Sequence, residues 1–318
     1  MTAPLVLAGY VVFVGTAGAA WLRAAAWTHR SPRLGIIAWQ AVSLSVVLAL
    51  PLIGITLALP TLPITTRLAD AFHACALALQ EQYSTPGGAL VATAGMVLAA
   101  AVVVRITYCF GVSWLRIRRQ RKVQRGGLSL VGRRDEDSGA WLVDHPTPSV
   151  YCMPGRRRDV VVTSAAVTAL DDRQLDAVLA HERAHLNARH DVVLLIAVAL
   201  HAAFPFLPLF RIGHDQLAVL VEMHADDQAL RSSDRRDLAT ALVSLAEGAT
   251  PVATFGAGGA SALARVRRLA KPGAPVGVLG TFVTLGAALS VVMIPVLVTV
   301  APGLMALAVD YCPVAFPT

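Results

Sequence analysis

Four stretches of this sequence, 4–22, 35–59, 88–115 and 276–300, are almost free of charge, and each runs for about 19 residues or more. A helix rising 1.5 Å per residue crosses the roughly 30 Å hydrocarbon core of a bilayer in about 20 residues. In lipid every backbone polar group must be satisfied internally, so segments this long and apolar are read as membrane-spanning helices. The whole composition agrees: 56% of residues are hydrophobic, 15% are charged and the mean hydropathy is +0.62. Arg105 is the one basic residue within the third stretch, a position from which its side chain can snorkel toward an interface.

The net charge of +7 raises nucleic-acid binding as a first alternative. The basic residues instead flank the apolar stretches, with few aromatics among them, so no direct nucleic-acid partner is expected. Arg23, Arg30 and Arg33 follow the first stretch. Arg116, Arg118, Arg119, Arg121, Lys122 and Arg125 follow the third, and Arg265, Arg267, Arg268 and Lys271 precede the fourth. The positive-inside rule places these three clusters in the cytoplasm. The N-terminus, the 60–87 connector and the tail then lie outside. The expected localisation is a multi-pass cell (plasma or inner) membrane protein in a lipid bilayer. Three units follow: a three-helix membrane domain over 1–117, a cytoplasmic domain over 118–272, and a fourth transmembrane helix with a short tail over 273–318. No secretory signal is expected, because no basic region precedes the first apolar run. Cys109 and Cys152 read as packing residues. Cys75 and Cys312 both fall outside, where disulfide chemistry is allowed.

Within 118–272 lies His181-Glu182-Arg183-Ala184-His185. With nine His and five Glu in the chain, such a pentad is expected by composition only about 0.004 times. Residues four apart share a helix face, so both imidazoles can reach one Zn²⁺. Glu182 then stands beside the position of a metal-bound water and can act as general base and acid. Asp171 or Asp172 is the expected N-cap of this helix, and 149–153 and 159–163 read as two strands joined at Pro154-Gly155. Such a strand, left at a sheet edge, can hold an extended peptide. The apolar run 192–210 reads as the buried continuation of the active-site helix plus a turn. A full crossing there would put the 265–271 cluster outside.

A third ligand must come from elsewhere. Glu81 is outside by topology, Glu136 sits in an acidic patch, and Glu247 precedes a Gly/Ala/Pro-rich loop. Glu222 lies in an apolar helical frame with Asp226 one turn later, which makes it the best candidate. His190 is expected about 140° round the helix from His185 and off the ligand face. His224 is expected to point away from Glu222. His29, His73, His145, His201 and His214 show no ligand spacing. For stabilising an oxyanion, Tyr151, His214 and nearby Arg residues stay unranked.

His181-Glu182-x-x-His185, with His190-Asp191 closing its helix and Glu222-x-x-x-Asp226 some forty residues on, resembles the gluzincin pattern of membrane metallopeptidases. Three spans, a cytoplasmic domain and a fourth span resemble the antibiotic-sensor peptidases of the BlaR/MecR type, as do Tyr151-Cys152-Met153-Pro154-Gly155 and Val160-Val161-Val162-Thr163 ahead of the helix. HtpX-like quality-control peptidases are a looser match in span order. The resemblance implies an α-helical integral membrane protein with an inserted, mainly helical α+β gluzincin-type domain. It implies zinc ligands His181, His185 and Glu222, general base Glu182, and Asp226 holding a ligand histidine. The penicillin-binding sensor domain of those receptors has no counterpart here after the last span, and no S-x-x-K nucleophile lies outside. The implied activity is zinc endopeptidase action on a winged-helix repressor of the BlaI/MecI type or on the chain itself. Membrane-protein quality control and a non-enzymatic signalling scaffold are the alternatives, and a homo-oligomer is compatible with each. The Gly/Ala-rich 256–264 reads as a flexible linker, or as a self-cleavage loop.

Overall fold

A computed structural model describes residues 2–58, 88–136, 138–155, 158–247, 257–271 and 273–308, with backbone alone over 257–262 and 302–308. The 60–87 connector with Cys75, His73 and Glu81, Gly256, and the tail with Cys312 lie outside the described residues.

The chain is mostly helical. Its first helix, α1, covers Thr2–Ala24 and contains a π-turn at Val14–Gly18. Gly15 in that turn leaves room for Leu207, whose Cδ2 would stand 3.4 Å from an added Cβ. A short helix α2 (Trp27–Arg30) leads to α3 (Pro32–Ala58). The third apolar stretch belongs to α4 (Gly88–Val131). Among the described residues four helices are long and apolar enough to cross a membrane: α1, α3, α4 and α11 (Val278–Ala308). Where α3 meets α4, a Cβ on Gly95 would lie 2.6 Å from the Gly54 carbonyl oxygen, so the backbones touch, as small residues permit in lipid.

Helix α4 does not stop where its apolar stretch ends. It runs 44 residues, about 66 Å at 1.5 Å per residue, carrying the basic cluster well past one bilayer core. Arg121 pairs with Asp191 at 3.1 Å, and Arg125 donates to the Pro154 carbonyl at 3.0 Å. Part of the cluster therefore docks α4 against Asp191 and the β3–β4 turn. Arg105, within the apolar stretch, donates to the Ala203 carbonyl and satisfies a helix C-terminus inside the bundle.

A four-stranded sheet follows: β1 (Gly132–Arg134), β2 (Trp141–Val143), β3 (Val150–Met153) and β4 (Asp159–Thr163), in the order β1-β2-β4-β3. The two strands expected from sequence form the antiparallel β3–β4 pair. The first two were not expected: each is three residues long, and Gly-Arg-Arg carries no apolar alternation. Every residue of β4 is buried, with Val160 and Val162 against Leu179 and Leu186, and Val161 against Leu128 and Met153. Strand β3 is left at the edge.

After α5 (Ser164–Ala169) comes α6 (Asp172–Asn187), started by a capping box in which Asp171 accepts from Gln174 N–H and Gln174 from Asp171 N–H. The segment 192–210 is not a continuation of α6. Arg189 adopts a left-handed conformation (φ 51°), and α7 (His190–Ala203) leaves at a 58° bend. A turn follows, and Pro208 opens α8 (Pro208–Ala229). Together α6 and α7 are also long and apolar enough to count as one broken span. Leu209, Phe210, Leu217 and Leu220 share one core with Leu7, Trp39 and Val46 of the membrane helices. Leu220 lies against Gly35, so α8 is keyed into the start of α3. Helices α9 (Arg235–Glu247) and α10 (Ala257–Ala270) close the domain, Leu238 and Leu269 packing on Ala177 and Ala229. The stretch read as a linker over 256–264 is therefore helical from Ala257 onward.

Candidate metal centre

His181 and His185 lie on α6 one turn apart, and the capping box and the Leu179–Val162 contact fix which face they present. Their Nε2 atoms stand 3.1 Å apart. From α8, Glu222 brings Oε2 to 3.5 Å from His181 Nε2 and Oε1 to 3.5 Å from His185 Nε2. Among the described residues this is the group of three or more His, Cys, Asp or Glu placed to hold a metal ion, with ligand atoms within 4.8 Å of one another. Tetrahedral ligands at about 2.1 Å from an ion lie about 3.4 Å apart, so the observed spacings fit zinc without rearrangement.

Behind the ligands, Asp226 Oδ1 lies 3.0 Å from His181 Nδ1. The two atoms are close without being aligned as a hydrogen bond, so the carboxylate acts on the ring by charge and proximity, and Nε2 faces the other ligand candidates. Glu182 Oε2 accepts from the Cys152 backbone N–H at 2.9 Å. That N–H points away from β4, so the free edge of β3 runs along the helix that carries the pentad.

Arg265 was read from sequence as one of the flanking topological charges. The structure buries it in the site. From α10 its guanidinium grips Asp226 at 2.7 and 2.9 Å and Glu222 at 2.9 Å. Two buried carboxylates side by side would repel, and one guanidinium between them offsets this.

Ionisation follows this geometry. Burial raises the Glu222 carboxyl, but the His181 hydrogen bond, Arg265 and His185 outweigh it and hold the pKa at about 2. Asp226 is likewise held at about 2 by Arg265 and His181 against the pull of burial. Burial raises the Glu182 carboxyl above the ordinary range, against the opposing charge of His181. Burial and the neighbouring Glu182 charge together push the Cys152 thiol up to about 12.

Two more histidines back the site without joining the ligand group, which agrees with their expected place off the ligand face. His190 is 2% exposed; its Nδ1 lies 2.9 Å from His185 Nδ1 and its Nε2 lies 2.9 Å from His224 Nδ1. His224 Nε2 in turn meets the Gln228 side-chain amide at 3.2 Å. The 140° separation of His190 assumed one continuous helix, which the left-handed Arg189 breaks. If His185 presents Nε2 to a metal, its Nδ1–H donates to His190. His190 Nε2–H then donates to His224 Nδ1, and His224 Nε2–H reaches the Gln228 side-chain oxygen when that amide is turned from the orientation in which its nitrogen faces the ring. Each ring stays neutral with one proton, and the chain orients a ligand from behind. The spacing His190…His224…Gln228 carried no signal of this, because the contact spans two helices.

The other expected residues divide. Tyr151 is half-exposed on β3 near Glu182, whereas His214 neighbours Asp215 and His201 and is not brought to the site. Glu136 and Glu247 also lie apart from the three ligand candidates.

Residues 117–219 match the sequence model of peptidase family M48, whose members are metal-dependent peptidases. The match takes in the sheet, the pentad and most of α8, and ends three residues before Glu222. No curated protein and no solved structure matches the chain.

Proposed function

We propose that this chain is a membrane-embedded, zinc-dependent endopeptidase whose active site faces the cytoplasm. The observation that carries the reading is the meeting of His181, His185 and Glu222, drawn from two helices, at spacings suited to one tetrahedral ion, with Glu182 beside them. Zinc bound there supplies a Lewis acid for the scissile carbonyl and an acidified water. The chain supplies the rest. Glu182 takes the water's proton and later delivers it to the leaving amine. Arg265 and Asp226 are positioning residues: Asp226 holds the His181 ring, and Arg265 holds Asp226 and Glu222. The edge of β3 receives the peptide as an added strand, which takes over the Cys152 N–H now bonded to Glu182 and releases that carboxylate to act on the water.

The cytoplasmic face is supported by the basic residues at Arg23–Arg33 and Arg116–Arg119, which flank the first and third apolar stretches. As substrate we propose a cytoplasmic regulator, such as a winged-helix repressor of the BlaI/MecI type, or the chain itself. Membrane-protein quality control is favoured by one observation: Leu220, two residues before Glu222, rests against Gly35 at the start of a membrane helix. This keys the helix that carries Glu222 to an apolar helix, which supports a substrate drawn from the same bilayer.

The test is reconstitution in liposomes with zinc analysis. Glu182→Ala is expected to keep one zinc per chain and to lose cleavage by at least about 100-fold. His181→Ala is expected to lose the zinc. Hydrolysis persisting in zinc-loaded Glu182→Ala would contradict the mechanism. The same inactive variant, used as a trap, separates the substrates: one dominant regulator indicates signalling, and many membrane proteins indicate quality control.

A further inference from the structure

Two cavities adjoin on the side of α6 and α8 away from Glu182. The first, of about 770 Å³, is basic: Arg33, Arg183 and Arg231 line it together with His190 and His224, and no Asp or Glu does. The nearby carboxylates of α8 are already engaged. Glu222 and Asp226 pair with Arg265, and Asp227 is held by Arg268 at 2.7 and 2.9 Å. Arg33 and Arg231 take part in no ion pair among the described residues.

The second cavity, of about 670 Å³, lies between α3, α4, α7 and α11. Leu44, Ile106, Phe110, Leu200 and Leu289 are typical of its wall, and Gln40 is its one polar side chain. The two cavities share Ile36 and Ile37. From Arg33 in the first cavity to Val47 in the second, their combined lining along α3 is about 21 Å at 1.5 Å per residue. One leaflet's hydrocarbon is about 15 Å deep, so the pair matches a head group plus an acyl chain.

We propose that these joined cavities bind one anionic phospholipid, its phosphate among Arg33, Arg183 and Arg231 and an acyl chain between α3, α4, α7 and α11. Neither cavity alone specifies this ligand. The apolar one accepts any lipid tail, and the basic one accepts any phosphate. Their shared wall, running from the first turn of a membrane helix into its apolar body, selects a molecule with both parts. Basic side chains at this depth attract anionic head groups. The head group would sit directly behind His190 and His224, the rings that back the ligand His185.

The test reads bound lipid and is independent of proteolysis. Detergent-purified full-length protein is titrated with phosphatidylglycerol or with phosphatidylcholine of the same chains, and adducts are counted by native mass spectrometry. Wild type is expected to take up one phosphatidylglycerol at about tenfold lower concentration than phosphatidylcholine. Arg33→Gln with Arg231→Gln is expected to abolish that preference. Ala288→Trp, which fills the apolar cavity from α11, is expected to weaken both lipids without changing zinc content. Inorganic phosphate in large excess is expected to leave the lipid in place. Equal uptake of the two lipids by wild type would overturn the proposal without any variant. So would a preference surviving the double substitution, or full displacement by inorganic phosphate, which would indicate a phosphate site alone.

Discussion

At the scale of the residue, the site sets reactivity through burial and neighbouring charge. Cys152 is the clearest case. Its thiol is half-buried beside the Glu182 carboxylate, and both effects disfavour the thiolate, placing the pKa at about 12. The thiolate is the reactive form, so alkylation at Cys152 is expected to be negligible at pH 8 and to rise only as the pH approaches the raised value. Peptide mapping after iodoacetamide treatment reads this directly; Cys152 labelling at pH 8 as fast as a free thiol would contradict it. Glu182→Gln removes one of the causes and is expected to accelerate labelling. At this scale the sequence displayed His181, Glu182 and His185, because helix periodicity alone sets their relation. Glu222 and Asp226 emerged from the scarcity of glutamates and their i, i+4 spacing. Arg265 and the His190–His224 pair stayed hidden, since only tertiary packing between α10, α8 and α7 brings them in.

At the scale of the element, the apolar stretches became helices because nothing in lipid offers their backbone another partner. The third helix outran its apolar stretch, since no proline interrupts 89–131 and Arg and Lys are good helix formers. The break at Arg189 was illegible for the converse reason: a left-handed arginine lacks the glycine that normally announces such a turn. The α3–α4 crossing makes a separate demand. Gly54→Leu would force a side chain into the backbone of α4, where even a Cβ meets Ala99 N at 2.9 Å. It is expected to destabilise the bundle by about 1–3 kcal/mol, seen as a lower unfolding temperature in detergent. Gly111→Ala, where nothing lies within 4 Å of the added carbon, is expected to be neutral. Equal unfolding temperatures for the two variants would argue against the close crossing.

At the scale of the whole molecule, the candidate metal centre is a junction. The pentad comes from α6, Glu222 and Asp226 from α8, and Arg265 from α10, and α8 is also part of the core shared with the membrane helices. A zinc ion held here ties these parts together, and its removal by a chelator is expected to lower the unfolding temperature. In the metal-free protein Arg265 still neutralises the two carboxylates, so the fold is expected to survive. In Arg265→Gln it has no such support, and stripping the metal leaves Glu222 and Asp226 uncompensated. That variant is expected to unfold on chelation under conditions where wild type stays folded; an equal loss in both would remove Arg265 from this role.

The free edge of β3 carries a consequence for what such an enzyme can select. A strand accepts a partner only through that partner's own backbone N–H and C=O groups, laid out straight over several residues. In a folded domain those groups are already engaged in helices and sheets. A chain segment becomes available to this edge only when it has come loose from its own structure. Recognition would then depend on the local unfolding free energy of the target as well as on its side chains, and a regulator could be made cleavable merely by loosening it.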